Sequence, residues 1–447
     1  MASETSGSID ASVYRTVDRS PFHRAPPDIL LVIFDWVPRQ LEASWGNPDL
    51  GLIRICAVCR WWRQHAISAP SLWTKIRYRL ICPSETFAKQ TTWLTRSAGS
   101  LVDISVRGAY WNRFEGPRSS KLDAVLANML ACSTRWRSFE TKECSWAETG
   151  VFYNALQSLV APNLISVRAD INERQGMPDR GWFAARSTPF RDSLPSRLRI
   201  LELPARPICR NRLKQLTTLT ELHVHQSTFR VALGAVWDTL QVLPLLQILV
   251  IRSDRDGCST RSAIITNAPS PALTMQHLHT IGIESVMLAE AFLPFVRLPC
   301  LQDLQQPISG LHVLEDAFPE SCMRLRKLHL GSPSSPLSKT FPPEFSPFLS
   351  LLTNLESFHL SKRIVRKDHL DQIASSLPKL TQLEFSNCKF DNFQDLKQMI
   401  EDLASYSRPQ LSVLGIVQCN VFPAPGDVDY WFWYKGHVGS LNYVAVD

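Results

Sequence analysis

At 447 residues, with 45% hydrophobic and 20% charged side chains, the chain is long enough for two or three domains, or for one small module and an elongated array. Its formal charge of +7 is modest and its Arg and Lys are scattered, which argues against nucleic-acid binding by charge alone and suits an acidic or phosphorylated protein equally well. Eleven cysteines without a compact framework point to reduced thiols in the cytosol or nucleus, no apolar run reaches the roughly 18 residues needed to cross a bilayer, and the polar start lacks a signal-peptide core.

Residues 1–23 are rich in Ser, Thr and Asp and are expected to be disordered. Pro26 and Pro27 mark a boundary, and Pro27 with Asp28 suits the first turn of a helix expected to end near Pro38. Along this helix Leu30, Leu31, Val32, Ile33 and Phe34 point all around the axis, unlike a helix wetted on one side. A segment of roughly 50 residues has too little interior to cover apolar side chains in every direction, so the surplus calls for a partner. After a loop containing Gly46, Asn47 and Pro48, a second helix is predicted from about Asp49 to Ile67, with Leu52, Ile55, Val58, Cys59 and Trp62 on one stripe.

From about residue 95 the pattern becomes a repeat, Leu-x-x-Leu-x-Leu with aliphatic or aromatic substitutions. Clear copies begin at Leu198, Leu219, Leu246, Leu278, Leu325, Leu355, Leu380 and Leu411, and degenerate ones at Leu164, Leu301 and Leu441, with starts 21 to 34 residues apart. That is the leucine-rich-repeat range with irregular insertions. Position nine of the unit is Asn172, Cys388 or Cys419 in three copies, and Cys144 if a unit starts at Trp136; Asn or Cys there can satisfy backbone groups where the chain leaves the strand. Several copies follow a helix-like segment ending in Leu-Pro, at Leu243, Leu298 and Leu377, where proline disfavours continuation of the helix. The fold class expected is α/β: a small all-helical N-terminal module over residues 24–77, then an irregular solenoid over 78–447 with a concave parallel sheet and outer helices.

The two halves together resemble the F-box proteins with leucine-rich repeats, in the style of large fungal families. The family's opening Leu-Pro-x-Glu-Leu/Ile-Leu-x-x-Ile-Phe is matched by Ala25 to Phe34, its Val-Cys-Arg-x-Trp-Arg by Val58 to Arg63, and its closing Pro-x-Leu-Trp by Pro70 to Trp73. Ala25 replaces the usual Leu, Asp28 shortens the usual Glu, and the loop from Pro38 to Leu50 is longer than the pattern. The resemblance implies a substrate receptor of an SCF-type cullin–RING ubiquitin ligase, whose F-box docks on the Skp adaptor and, through it, the cullin–RING scaffold. It implies that Pro26, Leu30, Leu31, Ile33, Phe34, Val58, Cys59, Trp62 and Trp73 carry or support adaptor contact. The alternative is a leucine-rich-repeat interaction scaffold independent of ubiquitination.

In a strand reading x-x-Leu-x-Leu the leucines point inward, so the residues between them face the other side. These are Glu221, His223, His225, Arg252, Lys327, His329, Ser357, His359, Gln382, Glu384 and Ser386, the candidates for contact with a target protein. His223, His329 and His359 share one repeat position, but only the last two fall in consecutive copies, so no metal is expected. Their protonation below about pH 6 is expected to tune binding of an acidic target. Cys56-x-x-Cys59 lacks a second Cys/His pair at ligand spacing and reads as buried thiols. No nucleophile, metalloprotease or phosphate-loop motif is present, so a non-enzymatic, cofactor-free protein is expected in the cytoplasm or nucleus, with a protein target and neither membrane nor nucleic acid as partner.

Overall fold

The computed structural model describes residues 25–45, 49–80, 83–108, 120–144, 146–157, 159–171, 195–204, 215–226, 240–253, 273–308, 311, 314, 319–331, 341–342, 345–405, 410–419, 433 and 437–444. The chain parts into two compact units, Met1–Glu143 and Cys144–Asp447.

The first unit opens with three helices, α1 (Pro27–Trp45), α2 (Asp49–Val58) and α3 (Arg60–Ser68). Two expectations are corrected here. α1 does not stop at Pro38 but runs seven residues further. An internal proline removes one backbone bond at a cost of about 3 kcal/mol, and the strong helix formers Arg39, Gln40, Leu41, Glu42 and Ala43 follow it directly. The single second helix is instead two, because Cys59 is extended (φ −158°, ψ 170°) and caps α3, its sulfur accepting the Trp62 N–H at 3.4 Å.

A 3-10 turn, Pro70–Trp73, leads into β1 (Lys75–Arg79). The expected domain boundary at residue 77 therefore falls inside a strand. Its reason is that Trp73 closes the helical module and also occupies the first position of a repeat, Trp73-x-x-Ile76-x-Tyr78, all three buried. Helix α4 (Pro83–Arg96), β2 (Val102–Arg107), helix α5 (Ser120–Leu130) and β3 (Trp136–Cys144) follow, and β1, β2 and β3 pair in parallel. Ile76, Ile104 and Phe139 align across them as fourth-position residues.

Among the described residues, the second unit carries eleven parallel strands hydrogen-bonded in chain order. They are β4 (Ser166–Ile171), β5 (Ile200–Pro204), β6 (Glu221–Gln226), β7 (Ile248–Ser253), β9 (Thr280–Ile283), β11 (Asp303–Gln306), β12 (Lys327–Leu330), β13 (Ser357–Ser361), β15 (Gln382–Ser386), β17 (Val413–Val417) and β18 (Ser440–Val444). Two small parallel pairs flank them, β8 (Leu273–Thr274) with β10 (Val296–Arg297) and β14 (Ile364–Val365) with β16 (Lys389–Phe390). Connecting helices include Val286–Phe292, Phe345–Leu351, Lys367–Ser376 and Phe393–Ser405. The helix Lys367–Ser376 ends at Leu377, just before Pro378, as the proline rule requires. Before Leu298, by contrast, a 3-10 turn and β10 intervene after the helix. This is the α/β leucine-rich-repeat architecture, in which each unit contributes a strand and most of its return path.

In four of the described units the ninth position closes the turn after the strand. Glu143, Lys362, Asn387 and Gln418, all at position eight, take left-handed φ values of 52° to 54°. The next residues, Cys144, Arg363, Cys388 and Cys419, are buried. The Cys388 thiol donates to the Leu360 carbonyl at 3.3 Å and the Cys419 thiol to the Phe385 carbonyl at 3.5 Å, each reaching back to the preceding strand. Asn172 lies outside the described residues.

Gly331 sits at φ +140°, and a Cβ there would stand 2.8 Å from the Ser361 carbonyl oxygen. Gly331→Ala is expected to cost at least about 2 kcal/mol in urea unfolding. Gly99→Ala, where the added methyl meets nothing within 4 Å, should change stability by no more than about 0.5 kcal/mol. Equal effects at the two positions would contradict the assigned turn.

Candidate functional site

In the first unit α1 packs by one side over residues 27–37, whose side chains are described. Leu30 and Phe34, one turn apart, are fully buried, and the Phe34 ring lies 5.1 Å from that of Trp62 on α3. Leu31, Ile33, Cys59 and Trp62 are half-buried. Ile29, Val32 and Trp36 on α1 and Ile53 and Val58 on α2 are half or more exposed, and Leu50 is exposed with them. Ile29, Val32 and Trp36 follow the i, i+3, i+7 spacing of one helix face. Leu50, Ile53 and Val58 stand outside while Leu52 and Ile55 point inward.

The sequence candidates therefore divide. Leu30, Phe34 and Trp73 are interior and do not reach solvent. The Trp73 indole N–H donates to the Ala66 carbonyl at 2.7 Å, its ring stands edge-on to Trp93 at 5.4 Å, and the Arg96 guanidinium lies 4.5 Å from its centroid. Pro26 and Val58 are exposed. Ile29, Trp36, Leu50 and Ile53 were not among the candidates, because a segment apolar all around its axis does not say which side its own unit covers. The signal that could have found them is subtraction: once Leu30 and Phe34 fix the inner side, the i, i+3, i+7 set is what remains.

Polar contacts keep this face in place. Asp49, buried at the start of α2, is ion-paired with Lys89 and with Arg77 at 3.4 Å. Arg63 Nε donates to the Cys56 carbonyl at 2.7 Å, and burial raises the Cys56 thiol pKa against the opposing pull of Arg96 and Arg63. Among the described residues no cluster of three or more His, Cys, Asp or Glu side chains could hold a metal ion.

In the second unit strand register lines up the residues between the leucines. One row runs Glu202, His223, Val250, Gly282, Gln305, His329, His359, Glu384, Gly415 and Asn442 across ten strands. The neighbouring row carries Glu221, Asp303, Lys327, Ser357 and Gln382. All the target-contact candidates except His225, Arg252 and Ser386 thus fall on two adjacent rows. His225 and Arg252 pair on a third, and of the His225 side chain nothing is described. Ser386, on the strand with Glu384, places its hydroxyl 2.5 Å from His359 Nε2.

Two clusters stand out on these rows. His223 Nε2 lies 2.9 Å from Glu221, Arg168 lies 3.1 Å from the same carboxylate, and Arg252 lies 3.8 Å from both Glu202 and Glu284. Burial lowers the His223 pKa and outweighs Glu202 and Glu221, which raise it. Farther along, the His329 and His359 rings stack at 3.9 Å and 12°. Burial, reinforced by His359, lowers the His329 pKa to about 3, and burial lowers that of His359 to about 4. The expectation that these residues titrate near pH 6 is therefore corrected: the two half-buried rings stack on each other, and desolvation disfavours their charged forms well below that pH.

Histidines kept neutral bind fewer protons folded than unfolded, so their contribution to stability is complete above an unfolded pKa of about 6.5 and is lost as pH falls toward 4 and then 3. Urea unfolding of the wild type at pH 5 should show a loss on the order of 4 kcal/mol relative to pH 7.5, about 2 from each histidine. His329→Gln/His359→Gln should flatten that dependence. An equal loss in the double variant would contradict the assignment.

No protein-family model matches the sequence, and no curated protein matches it. Among solved structures the chain is similar to an internalin from Listeria monocytogenes, with 13% identity over 79% of this chain and 89% of that one and a TM-score of 0.30. It is also similar to a chain of the Rad7 and Elc1 complex in yeast, with 14% identity, 68% and 85% coverage and a TM-score of 0.29. A third likeness is to TLR13 in its complex with ssRNA13, with 14% identity, 80% of this chain, 57% of that one and a TM-score of 0.30. With every TM-score below 0.5, these likenesses carry no inference about activity or partner.

Proposed function

We propose that the chain is a non-catalytic substrate-recognition subunit of an SCF-type ubiquitin ligase. The N-terminal helical module docks on the Skp adaptor, and the outward rows of the repeat sheet hold a target protein. The observation that carries this reading is the apolar face of α1 and α2, where Ile29, Val32, Trp36, Leu50 and Ile53 stand in water on helices anchored by Leu30, Phe34, Leu52 and Ile55. Taking one such side chain from full exposure to full burial contributes about 1.5–3 kcal/mol. These five are already about half covered, so completing their burial contributes about 4–8 kcal/mol, up to the roughly 8 kcal/mol of a micromolar complex before the ordering costs of association.

Under this reading the protein supplies no reacting group. It raises the effective concentration of a target lysine near the thioester of a conjugating enzyme, converting an encounter in solution into an intramolecular one. The polar, partly ion-paired rows suit selection of a protein surface, because buried polar groups left unpaired by a wrong partner penalise binding.

Capture of the Skp adaptor by immobilised full-length chain tests the proposal. Val32→Glu/Ile53→Glu, at exposed positions that leave the inner packing intact, is expected to reduce capture at least tenfold with an unchanged thermal melt. Equal capture by the variant and the wild type would overturn the reading. Substitutions at Leu30 or Phe34 are poor tests, because both are core residues whose loss costs about 2–5 kcal/mol of folding free energy.

A further inference from the structure

The sheet face of β1, β2 and β3 in the first unit carries a charge pattern that adaptor binding does not use. Along these strands Ile76, Tyr78, Ile104, Val106, Phe139 and Thr141 are buried, and the residues between them form three rows on the opposite face. The first row, Lys75–Asp103–Ser138, is complementary, with the Ser138 hydroxyl donating to Asp103 at 2.7 Å and Arg137 paired to the same carboxylate. The second, Arg77–Ser105–Glu140, mixes signs. The third, Arg79–Arg107–Lys142, consists of cations alone.

Like charges directly opposite one another on adjacent strands destabilise a sheet. Neighbouring strands lie about 4.8 Å apart, so the three cations fall within about 10 Å. Glu143 accepts two hydrogen bonds from Arg107, at 2.8 and 2.6 Å, and Glu140 lies 3.1 Å from Lys142. Those pairs fix two of the cations in position. Among the described residues no carboxylate pairs with Arg79, which is exposed. All three side chains reach solvent, with Arg107 and Lys142 about half exposed. Arg79 presents an open guanidinium fork, and beside it the charges of Arg107 and Lys142 are partly offset by Glu143 and Glu140.

We infer that this face binds an acidic peptide segment of another protein. In an extended peptide alternate side chains lie about 7 Å apart on one side, so two or three carboxylates within five residues span the row. The rows carry no aromatic side chain on which a base could stack. The inference does not depend on adaptor docking, which uses the apolar helices.

The test is fluorescence anisotropy of a labelled twelve-residue peptide of alternating Glu and Ser titrated with the full chain. Its Gln-for-Glu counterpart and a single-stranded oligothymidylate serve as comparison probes. The expected result is binding of the acidic peptide that weakens at least tenfold in Arg79→Gln/Lys142→Gln, and that weakens further between 50 and 300 mM salt (on the scale over which exposed charges are screened). The melting temperature of the variant should be unchanged or higher, because removing two of three like charges relieves repulsion. Absence of acidic-peptide binding, equal affinity in the variant, equal affinity for the Gln peptide, or tighter binding of the oligothymidylate would each overturn the inference.

Discussion

No repeat unit of this chain can bury its own leucines, and that constraint organises everything else. In the second unit Leu201, Leu222, Leu249, Ile281, Leu304, Leu328, Phe358, Leu383, Leu414 and Leu441 occupy a single row, each paired in register with the next. Because side chains alternate with a period of two, fixing this row inward fixes the residue on either side of it outward. A slip of one position would drive Glu221, His223, Lys327 and His329 into the interior. The candidate target surface is thus a by-product of the same register that buries the core.

The N-terminal helices obey the opposite rule. Their apolar residues outnumber the buried places their own unit offers, and the excess, Ile29, Val32, Trp36, Leu50 and Ile53, stays exposed on α1 and α2. A short helical module therefore stays folded through Leu30, Phe34, Leu52, Ile55 and Ala66 while keeping an apolar face that water disfavours. The two faces divide the labour chemically. The helical one is non-directional and rewards burial of area, whereas the repeat rows are ionic, imidazole-bearing and orientation-dependent.

Much of this was legible in the sequence, for identifiable reasons. The repeats from Leu198 to Leu411 are visible because leucine recurs at three fixed positions, and the outward candidates follow from them by alternation. The last copy does not begin at Leu441, which pairs with the fourth-position Leu414, but three residues earlier at the buried Val438. The repeat at β1 escapes the sequence reading, and that at β3 is legible only conditionally, through Cys144 at position nine, because Trp73, Ile76 and Tyr78, and Trp136, Phe139 and Thr141, fill the leucine positions with aromatic or β-branched residues. The break at Cys59 escaped notice because nothing in Val58-Cys59-Arg60 forbids a helix. Only the thiol's bond to the Trp62 N–H shows it acting as a cap. The shared repeat position of His329 and His359 was visible, but their neutral state depends on burial and stacking that composition does not reveal.

The central claim is that the apolar face of α1 and α2 exists to be covered by another protein. Hydrogen exchange of the full chain, alone and saturated with the Skp adaptor, measures that coverage directly. The account predicts slowed exchange over 27–37 and 49–58 on adaptor addition, with the strands from β4 to β18 unchanged. Unaltered exchange in both helices in the presence of saturating adaptor would contradict it.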